Sequence, residues 1–226
     1  MISVKGLSKK FDGKVVVKNI NLDFEPGNVY GIVGENGAGK TTLFRCLAGL
    51  ETYEGIISCA TGALKNNLGF LPADLFFFSK ITGMEYIRLL CNARKKNIQH
   101  IERKNIFDLP LGQYASTYST GMQKKLALTA ILLQENDYFI LDEPFNGVDI
   151  QSNILIAEII LELKKLGKTI VLSSHIFSTL STTCDMLHLI HNGSISHSVK
   201  KEDFNQLEDQ MKKIIIGDKI ERLHLK

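Results

Sequence analysis

The first stretch of the chain alternates between apolar and polar residues. Apolar side chains occupy alternate positions at Ile2 and Val4, at Val15 and Val17, and at Ile20, Leu22 and Phe24. A period of two is typical of strands that have one buried face and one exposed face. The pattern therefore predicts small antiparallel strands at the start of the chain.

Three later segments are largely apolar instead of alternating: Val29–Val33, Tyr138–Leu141 and Thr169–Ser173. Short continuous runs of this kind are typical of parallel strands that are buried on both faces. The turn signal Asn192-Gly193 lies between two further apolar segments, residues 187–190 and 194–197. It predicts a β-hairpin.

Helical patterns alternate with these strands. The predicted helices cover residues 40–47, 84–93, 121–134 and 150–166. Gly49 and Gly167 follow two of them, and glycine is the residue that favours the left-handed backbone at a helix C-terminus.

Strands that alternate with helices predict an α/β fold. We expect a mostly parallel sheet, covered on both faces, that binds ligands at the carboxyl ends of its strands. Residues 74–117 are rich in Lys, Arg and Asn, and we interpret them as a helical insertion. The whole chain is then one domain: residues 1–73 and 118–199 form the core with an N-terminal antiparallel β subdomain, and residues 200–226 form a charged tail.

Composition excludes several classes of protein. The chain has 226 residues, of which 44% are hydrophobic and 23% charged, a balance typical of globular proteins. Its 27 Lys and Arg against 24 Asp and Glu leave a net charge of +3, which argues against a nucleic-acid partner. The longest purely apolar runs, such as residues 130–133, are far shorter than the roughly 20 residues that cross a bilayer. We therefore expect no membrane-spanning helix.

Neither targeting nor metal binding is indicated by other short signals. Residues 1–10 lack the basic start and apolar stretch of a secretory signal, so we expect the chain in the cytosol. Four cysteines show no paired spacing and are interpreted as reduced packing residues: Cys46, Cys59, Cys91 and Cys184. Tail residues Lys212, Lys213 and Lys219 are interpreted as a solvated helical face, with contact to lipid headgroups as the alternative.

A glycine-rich loop stands between a predicted strand and a predicted helix. It reads Gly34-Glu35-Asn36-Gly37-Ala38-Gly39-Lys40-Thr41-Thr42. This is the pattern and the context of a Walker A loop, in which backbone N–H groups bind phosphate oxygens. Lys40 would reach the β- and γ-phosphates, and the Thr41 hydroxyl would bind Mg²⁺. The alternative is a glycine-rich turn that binds no nucleotide.

Two carboxylates end the apolar strand that precedes residue 142. Asp142 could hold Mg²⁺, and Glu143 could act as the general base that polarises an attacking water. Acidic residues at the start of a loop are common, so this pair alone is a weak signal. Together with Lys40 it predicts nucleotide hydrolysis.

A third motif stands immediately before the predicted helix at residues 121–134. It reads Tyr118-Ser119-Thr120-Gly121-Met122-Gln123. Together with the loop and the acidic strand end, it resembles the nucleotide-binding domain of the ATP-binding cassette family, in the Tyr-Ser-x-Gly-Met form of the family signature. The resemblance implies that Ser119 and Gly121 bind the γ-phosphate of ATP held by an opposite subunit. A simple helix cap explains Ser119 equally well.

Three more positions match the family in order, over residues 2–197. The segment Asn146-Gly147-Val148-Asp149 looks like the D-loop, which would place Asp149 at the nucleotide of a dimer. His175 matches the switch histidine at the γ-phosphate, and Phe11 matches the aromatic that stacks on adenine. The structural alternatives are a surface or packing histidine and a core phenylalanine.

The resemblance implies a P-loop NTPase core and an ATP-hydrolysing transporter subunit. In the family, two such subunits, as a homodimer or a pseudo-dimer, clamp two Mg-ATP molecules head to tail and drive a separate transmembrane permease. The expected location is therefore the cytoplasmic face of the membrane, through that partner. The Tyr-Ser-x-Gly-Met form is similar to that of bacterial exporters.

Some positions depart from the family pattern. Ala73 stands where the family has glutamine, and alanine can neither bind Mg²⁺ nor hydrogen-bond to water. Asp74 is the candidate for a partial substitute, and Thr120 replaces the commoner glycine. The aromatic run Phe76-Phe77-Phe78 follows, either as a docking contact or as packing of the insertion.

These departures from the family pattern leave two alternative functions open. One is a regulatory ATPase of the same fold that acts on a soluble partner. The other is a nucleotide-binding switch without turnover, suggested by the missing glutamine but disfavoured by Glu143 and His175. A kinase or a GTPase leaves the motif from Ser119 to Gln123 unexplained.

Overall fold

The computed structural model describes residues 1–208, which contain nine strands, five complete α-helices and further helical residues at 204–208. The strands are β1 (Ile2–Phe11), β2 (Lys14–Phe24), β3 (Val29–Val33), β4 (Glu54–Cys59), β5 (Leu68–Leu71), β6 (Tyr138–Leu141), β7 (Thr169–Ser173), β8 (Met186–His191) and β9 (Ser194–Lys200). The helices are α1 (Lys40–Leu47), α2 (Gly83–Ala93), α3 (Thr120–Leu133), α4 (Ile150–Lys165) and α5 (Phe177–Thr183). Short 3₁₀ turns lie at Leu64–Asn66, Ile101–Lys104, Ala115–Thr117 and Lys201–Asp203.

Two sheets organise the chain. The antiparallel sheet has the order β2-β1-β4, and the larger sheet has the order β5-β6-β7-β3-β8-β9. All neighbours in the larger sheet are parallel except β8 and β9, which form the hairpin predicted at Asn192-Gly193. This order confirms the predicted α/β fold, and it brings the carboxyl ends of β3, β6 and β7 to one edge.

Polar side chains fix where several helices begin. Thr82 and Glu85 form a reciprocal capping box at α2: the Thr82 hydroxyl accepts from the Glu85 N–H, and the Glu85 carboxylate accepts from the Thr82 N–H. Asp149 caps the N-terminus of α4. At the other end, α4 stops at Lys165, and Gly167 shortly after it has a positive φ of 76°. Caps of this kind typically stabilise a helix by about 1 kcal/mol.

The hydrophobic core has separate clusters on the two faces of the larger sheet. One cluster lies between that sheet, α1 and the antiparallel sheet, and the other lies on the side of α3 and α4. A third cluster joins α2 to α3 around Ile87, Cys91 and Leu126. The stretch 74–117 therefore packs on the core through α3.

Several elements were not predicted. Strand β4 is exposed along most of its length, so it carries no hydrophobic alternation, and β5 is a four-residue strand that contains Gly69. Helix α5 reads Phe-Ser-Thr-Leu-Ser-Thr-Thr, a composition with weak helix propensity. It forms because Leu180 is buried in the core below it.

All four cysteines are free thiols; Cys46, Cys91 and Cys184 are buried, as the packing interpretation predicts, and Cys59 is half-buried. No helix within residues 1–208 is long and apolar enough to span a bilayer. The tail prediction for Lys212, Lys213 and Lys219 lies outside the described residues.

Candidate functional site

A cavity of about 310 Å³ opens at the carboxyl edge of the larger sheet. Its walls come from the glycine-rich loop, from the residues that follow β6 and β7, from Val16 on β2 and from Ala73 after β5. The lining residues are Val16, Asn36, Gly37, Gly39, Lys40, Thr41, Thr42, Ala73, Asp142, Glu143 and His175. Sequence motifs that are more than a hundred residues apart thus meet in one place.

The glycine-rich loop is shaped by positive φ angles and close packing. Gly37 and Gly39 have φ of 80° and 108°, which favour glycine. A Cβ on Gly34 would lie 2.3 Å from the carbonyl oxygen of Ile190, so no larger residue fits there. Within the loop, Ala38 is buried, while Glu35 and Asn36 are exposed.

Lys40 is buried at the first position of α1. Its Nζ donates to the carbonyl oxygens of Gly34 at 2.6 Å and Glu35 at 3.1 Å. Burial lowers the pKa of Lys40, and attraction to Glu143 and Asp142 opposes that shift. The ammonium is therefore held at the loop by weak neutral acceptors, which a phosphate could replace.

Asp142 lies at the end of β6 and is 1% exposed. Its Oδ1 accepts a hydrogen bond of 2.6 Å from the Ser173 hydroxyl at the end of β7. Its Oδ2 is buried and has no hydrogen-bond partner among the described residues. A buried carboxylate oxygen without a partner is costly unless a cation completes it.

Glu143 has a left-handed backbone, with φ of 52°. Its N–H donates to the Ser173 hydroxyl at 2.9 Å, so Ser173 links both acidic residues. The Glu143 Oε1 lies 2.9 Å from Nε2 of His175, whose side chain is 49% exposed. Ser173 was missed by sequence reasoning, because a serine that ends a strand carries no distinctive signal.

The signature residues lie outside this cavity. Ser119 caps α3, with its hydroxyl accepting from the Met122 N–H at 3.3 Å. Gly121 packs so closely on the 146–149 segment that a Cβ would lie 2.5 Å from the carbonyl oxygen of Gly147. The structural alternative for Ser119, a helix cap, is present, and the Ser119 side chain is exposed and does not line the chain's own cavity.

Asp149 also acts as a cap. Its carboxylate accepts from the N–H and hydroxyl of Ser152 at 2.9 and 2.8 Å, and from Lys125 Nζ at 3.0 Å. These hydrogen bonds hold the pKa of Asp149 well below its usual range.

Phe11 and Asp74 lie outside the cavity lining, whereas Ala73 contributes to it. Phe11 is 41% exposed, and Lys9 Nζ lies 4.6 Å from the centre of its ring. That exposure argues against the alternative of a core phenylalanine. Asp74 is exposed and does not line the cavity.

Comparison with known proteins agrees with this geometry. A family model described as "ABC transporter" matches residues 17–146, a segment that contains the glycine-rich loop, the signature and the acidic strand end. The chain is 32% identical over 247 residues to the ABC transporter ATP-binding protein NatA of Bacillus subtilis, covering 96% of this chain and 99% of that protein.

Two further proteins show the same likeness. The bacitracin transport ATP-binding protein BcrA of Enterococcus faecalis is 30% identical over 237 residues, covering 94% of this chain and 72% of that protein. A solved structure described as the ATP-binding subunit of an ABC transporter superimposes with a TM-score of 0.80 at 25% identity, covering 92% of this chain and 93% of that chain.

Proposed function

Because the chain belongs to the ABC transporter family, as an ATP-binding subunit of the kind that hydrolyses ATP, we propose that it drives an exporter. Two copies, or this chain and a similar one, clamp two Mg-ATP molecules head to tail. A separate transmembrane permease binds to them at the cytoplasmic face of the membrane. The observation that carries the proposal is the cavity in which Lys40 faces Asp142, Glu143 and His175.

Each side chain in the cavity has a distinct role in this proposal. Lys40 exchanges its carbonyl acceptors for β- and γ-phosphate oxygens, and the glycine-rich loop supplies backbone N–H groups. Glu143 takes the proton of the attacking water, and His175 orients the Glu143 carboxylate and contacts the γ-phosphate.

Mg²⁺ fits the oxygen donors at this site. Thr41, which carries a hydroxyl, lines the cavity, and Asp142 Oδ2 is a buried oxygen without a partner within residues 1–208. Both are hard oxygen ligands of the kind that Mg²⁺ prefers. When bound, the ion would neutralise negative charge on the phosphates.

The second half of each site comes from the other subunit. Ser119 stands at the exposed start of α3, where a helix N-terminus favours anions, and Gly121 is buried two residues later against Gly147. Since they do not line the chain's own cavity, they suit a phosphate bound to a second copy, and Asp149 lies beside them. The missing glutamine at Ala73 leaves the residues named here intact, so we favour turnover over a nucleotide-binding switch.

The permease contact is proposed for the aromatic run after Ala73. Phe76 and Phe78 are 77% and 59% exposed, and their rings pack edge to face with centroids 5.5 Å apart. Phe77 points the other way and packs against Tyr86, 4.7 Å between centroids. We propose that residues 74–117 are the docking insertion of a core formed by residues 1–73 and 118–199, with Phe76 and Phe78 as its contact.

Copurification tests this contact. From gently solubilised native membranes, the tagged chain should bring down a multi-span membrane protein in stoichiometric amount. A variant with Phe76→Ser and Phe78→Ser should lose that protein several-fold, because two aromatic rings are removed from the interface. Leu166→Ser, at a residue that is 71% exposed after α4, is the matched control and should retain it. If no membrane partner appears with or without nucleotide, the transport role is wrong and a regulatory ATPase is favoured.

Phe11 provides a second test, of the adenine contact. Stacking of a base on an aromatic ring is worth about 1–3 kcal/mol, so Phe11→Ala should weaken ATP binding roughly tenfold. Inorganic tripolyphosphate lacks the base, and its affinity should stay the same. Equilibrium titration of both ligands measures the difference, with Ile56→Ala on β4 as an exposed control. Equal losses for both ligands would contradict the stacking role.

A further inference from the structure

Lys124 is a buried lysine that the nucleotide cavity does not use. It lies on α3 and is 3% exposed. Its Nζ donates to the carbonyl oxygens of Glu143 and Asn146, each at 2.8 Å. Burial lowers the pKa of Lys124, against the attraction of Glu143, Asp142 and Asp74. Burying an ammonium is costly unless it is well hydrogen-bonded, so this contact is a specific feature of the site.

The contact falls on the one residue of the acidic pair whose backbone is left-handed. A non-glycine residue with φ of 52°, as at Glu143, persists only where surrounding contacts hold it. Two side chains bond to the backbone of Glu143 and hold it in this conformation. The Ser173 hydroxyl accepts from the Glu143 N–H, and Lys124 Nζ donates to the Glu143 carbonyl oxygen. The Asn146 N–H also donates to that carbonyl, at 3.2 Å.

Lys124 acts together with Gly121, three residues earlier on the same face of α3. Gly121 lets the 146–149 segment lie against the helix, and Lys124 then bonds to Asn146 and Glu143 in the turn before it. The first turns of α3 therefore contact residues 143–147 at two places, at Gly121 and at Lys124. A movement of residues 143–147 would have to be accompanied by a movement of α3.

We propose that Lys124 is a positioning residue, which holds the peptide of Glu143 so that its carboxylate faces the cavity. The inference deepens the proposed function, since it rests on the assignment of Glu143 as general base. It assigns Lys124 no contact with nucleotide. Its loss should therefore lower kcat and leave the KM for ATP nearly unchanged.

The test compares three substitutions in the full chain. Lys124→Met keeps the length of the side chain and removes the donor, and kcat should fall about 10- to 100-fold, as a small misplacement of a catalytic group does. Lys124→Gln restores two N–H donors on a shorter side chain, and it should recover part of kcat. Lys164→Met removes a half-buried lysine that bonds to Asp185 at the opposite edge of the sheet, so kcat should stay within twofold of the parent.

The outcomes separate this inference from the assignment of Glu143. If Lys124→Met keeps kcat within twofold, or if ATP binding falls as much as kcat in both Lys124 variants, the positioning role is wrong. Thermal melting shows whether each variant folds. If Lys124→Met does not fold, Lys124→Gln is compared with the parent instead, and the positioning role is wrong if its kcat stays within twofold or its ATP binding falls as much as kcat. If Glu143→Gln, measured alongside, retains hydrolysis, the general-base assignment itself fails.

Discussion

Replacing Glu143 with glutamine is expected to lower steady-state ATP hydrolysis by about 10²–10⁴-fold, the usual contribution of a general base. Glutamine keeps the size of the side chain, and its amide stays within reach of His175, whose Nε2 lies 2.9 Å from Glu143 Oε1. It cannot accept the proton of the attacking water. Phosphate release measures the rate, and ATP affinity should change little because Lys40 and the glycine-rich loop are intact.

The same variant should accumulate as a dimer when Mg-ATP is saturating. Two ATP molecules hold two copies together, and hydrolysis is the step that releases them in the proposed clamp. Size-exclusion chromatography with light scattering should therefore show a dimer with ATP and a monomer without nucleotide. Glu162→Gln, an exposed carboxylate on α4 that pairs with Lys165 at 2.6 Å, is the matched control.

Two results would contradict these expectations separately. Hydrolysis within threefold of the parent would show that Glu143 is not the base. A variant that loses hydrolysis but stays monomeric at saturating Mg-ATP would contradict the clamp and leave the general base in place.

Three of the parallel strands were predictable because their burial is visible in the sequence. Val29–Val33, Tyr138–Leu141 and Thr169–Ser173 are buried along their whole length, and a strand buried on both faces is largely apolar. The edge strand β4 has no such constraint, since its side chains are largely exposed. Its position depends on pairing with β1, which is a tertiary contact.

The site was predictable where chemistry requires a local pattern. Lys40 functions together with the glycine-rich loop before it, and Asp142 and Glu143 follow an apolar strand. Each of these two groups is therefore recognisable as a motif in the sequence. Ser173 and Lys124 both bond to the backbone of Glu143, which lies 30 and 19 positions away in the chain. The residues that flank Ser173 and Lys124 in the sequence form no motif that indicates this role. It becomes visible only in the tertiary contacts of the folded chain.

His188 is expected to reduce stability in mildly acidic solution by about 2–3 kcal/mol between pH 7 and pH 4.5. It lies on β8 and is 3% exposed. Its ring stacks on Tyr30 with centroids 5.9 Å apart, and Nδ1 lies 2.7 Å from the Ser198 hydroxyl. Its Nε2 has no partner within residues 1–208, so a proton added there would remain unpaired.

Burial lowers the pKa of His188 to about 4, from 6.5 in the unfolded chain. Between these values the unfolded chain binds more protons than the folded one, so stability falls as the pH falls through this range. The contribution is fully favourable above pH 6.5 and is lost below about pH 4. The Lys5 and Asp23 side chains line the groove beside His188 and add charges of opposite sign.

Urea unfolding of the parent and of His188→Gln at both pH values isolates this effect. Glutamine fits a polar site beside Ser198 but does not titrate, so the variant should lose about 2–3 kcal/mol less than the parent on acidification. His197→Gln, at an exposed position on neighbouring β9, should lose as much as the parent. Carboxylates that titrate in the same range act equally in all three proteins and cancel in the difference. Equal losses in the parent and His188→Gln would mean that the buried imidazole is not the source of the acid sensitivity.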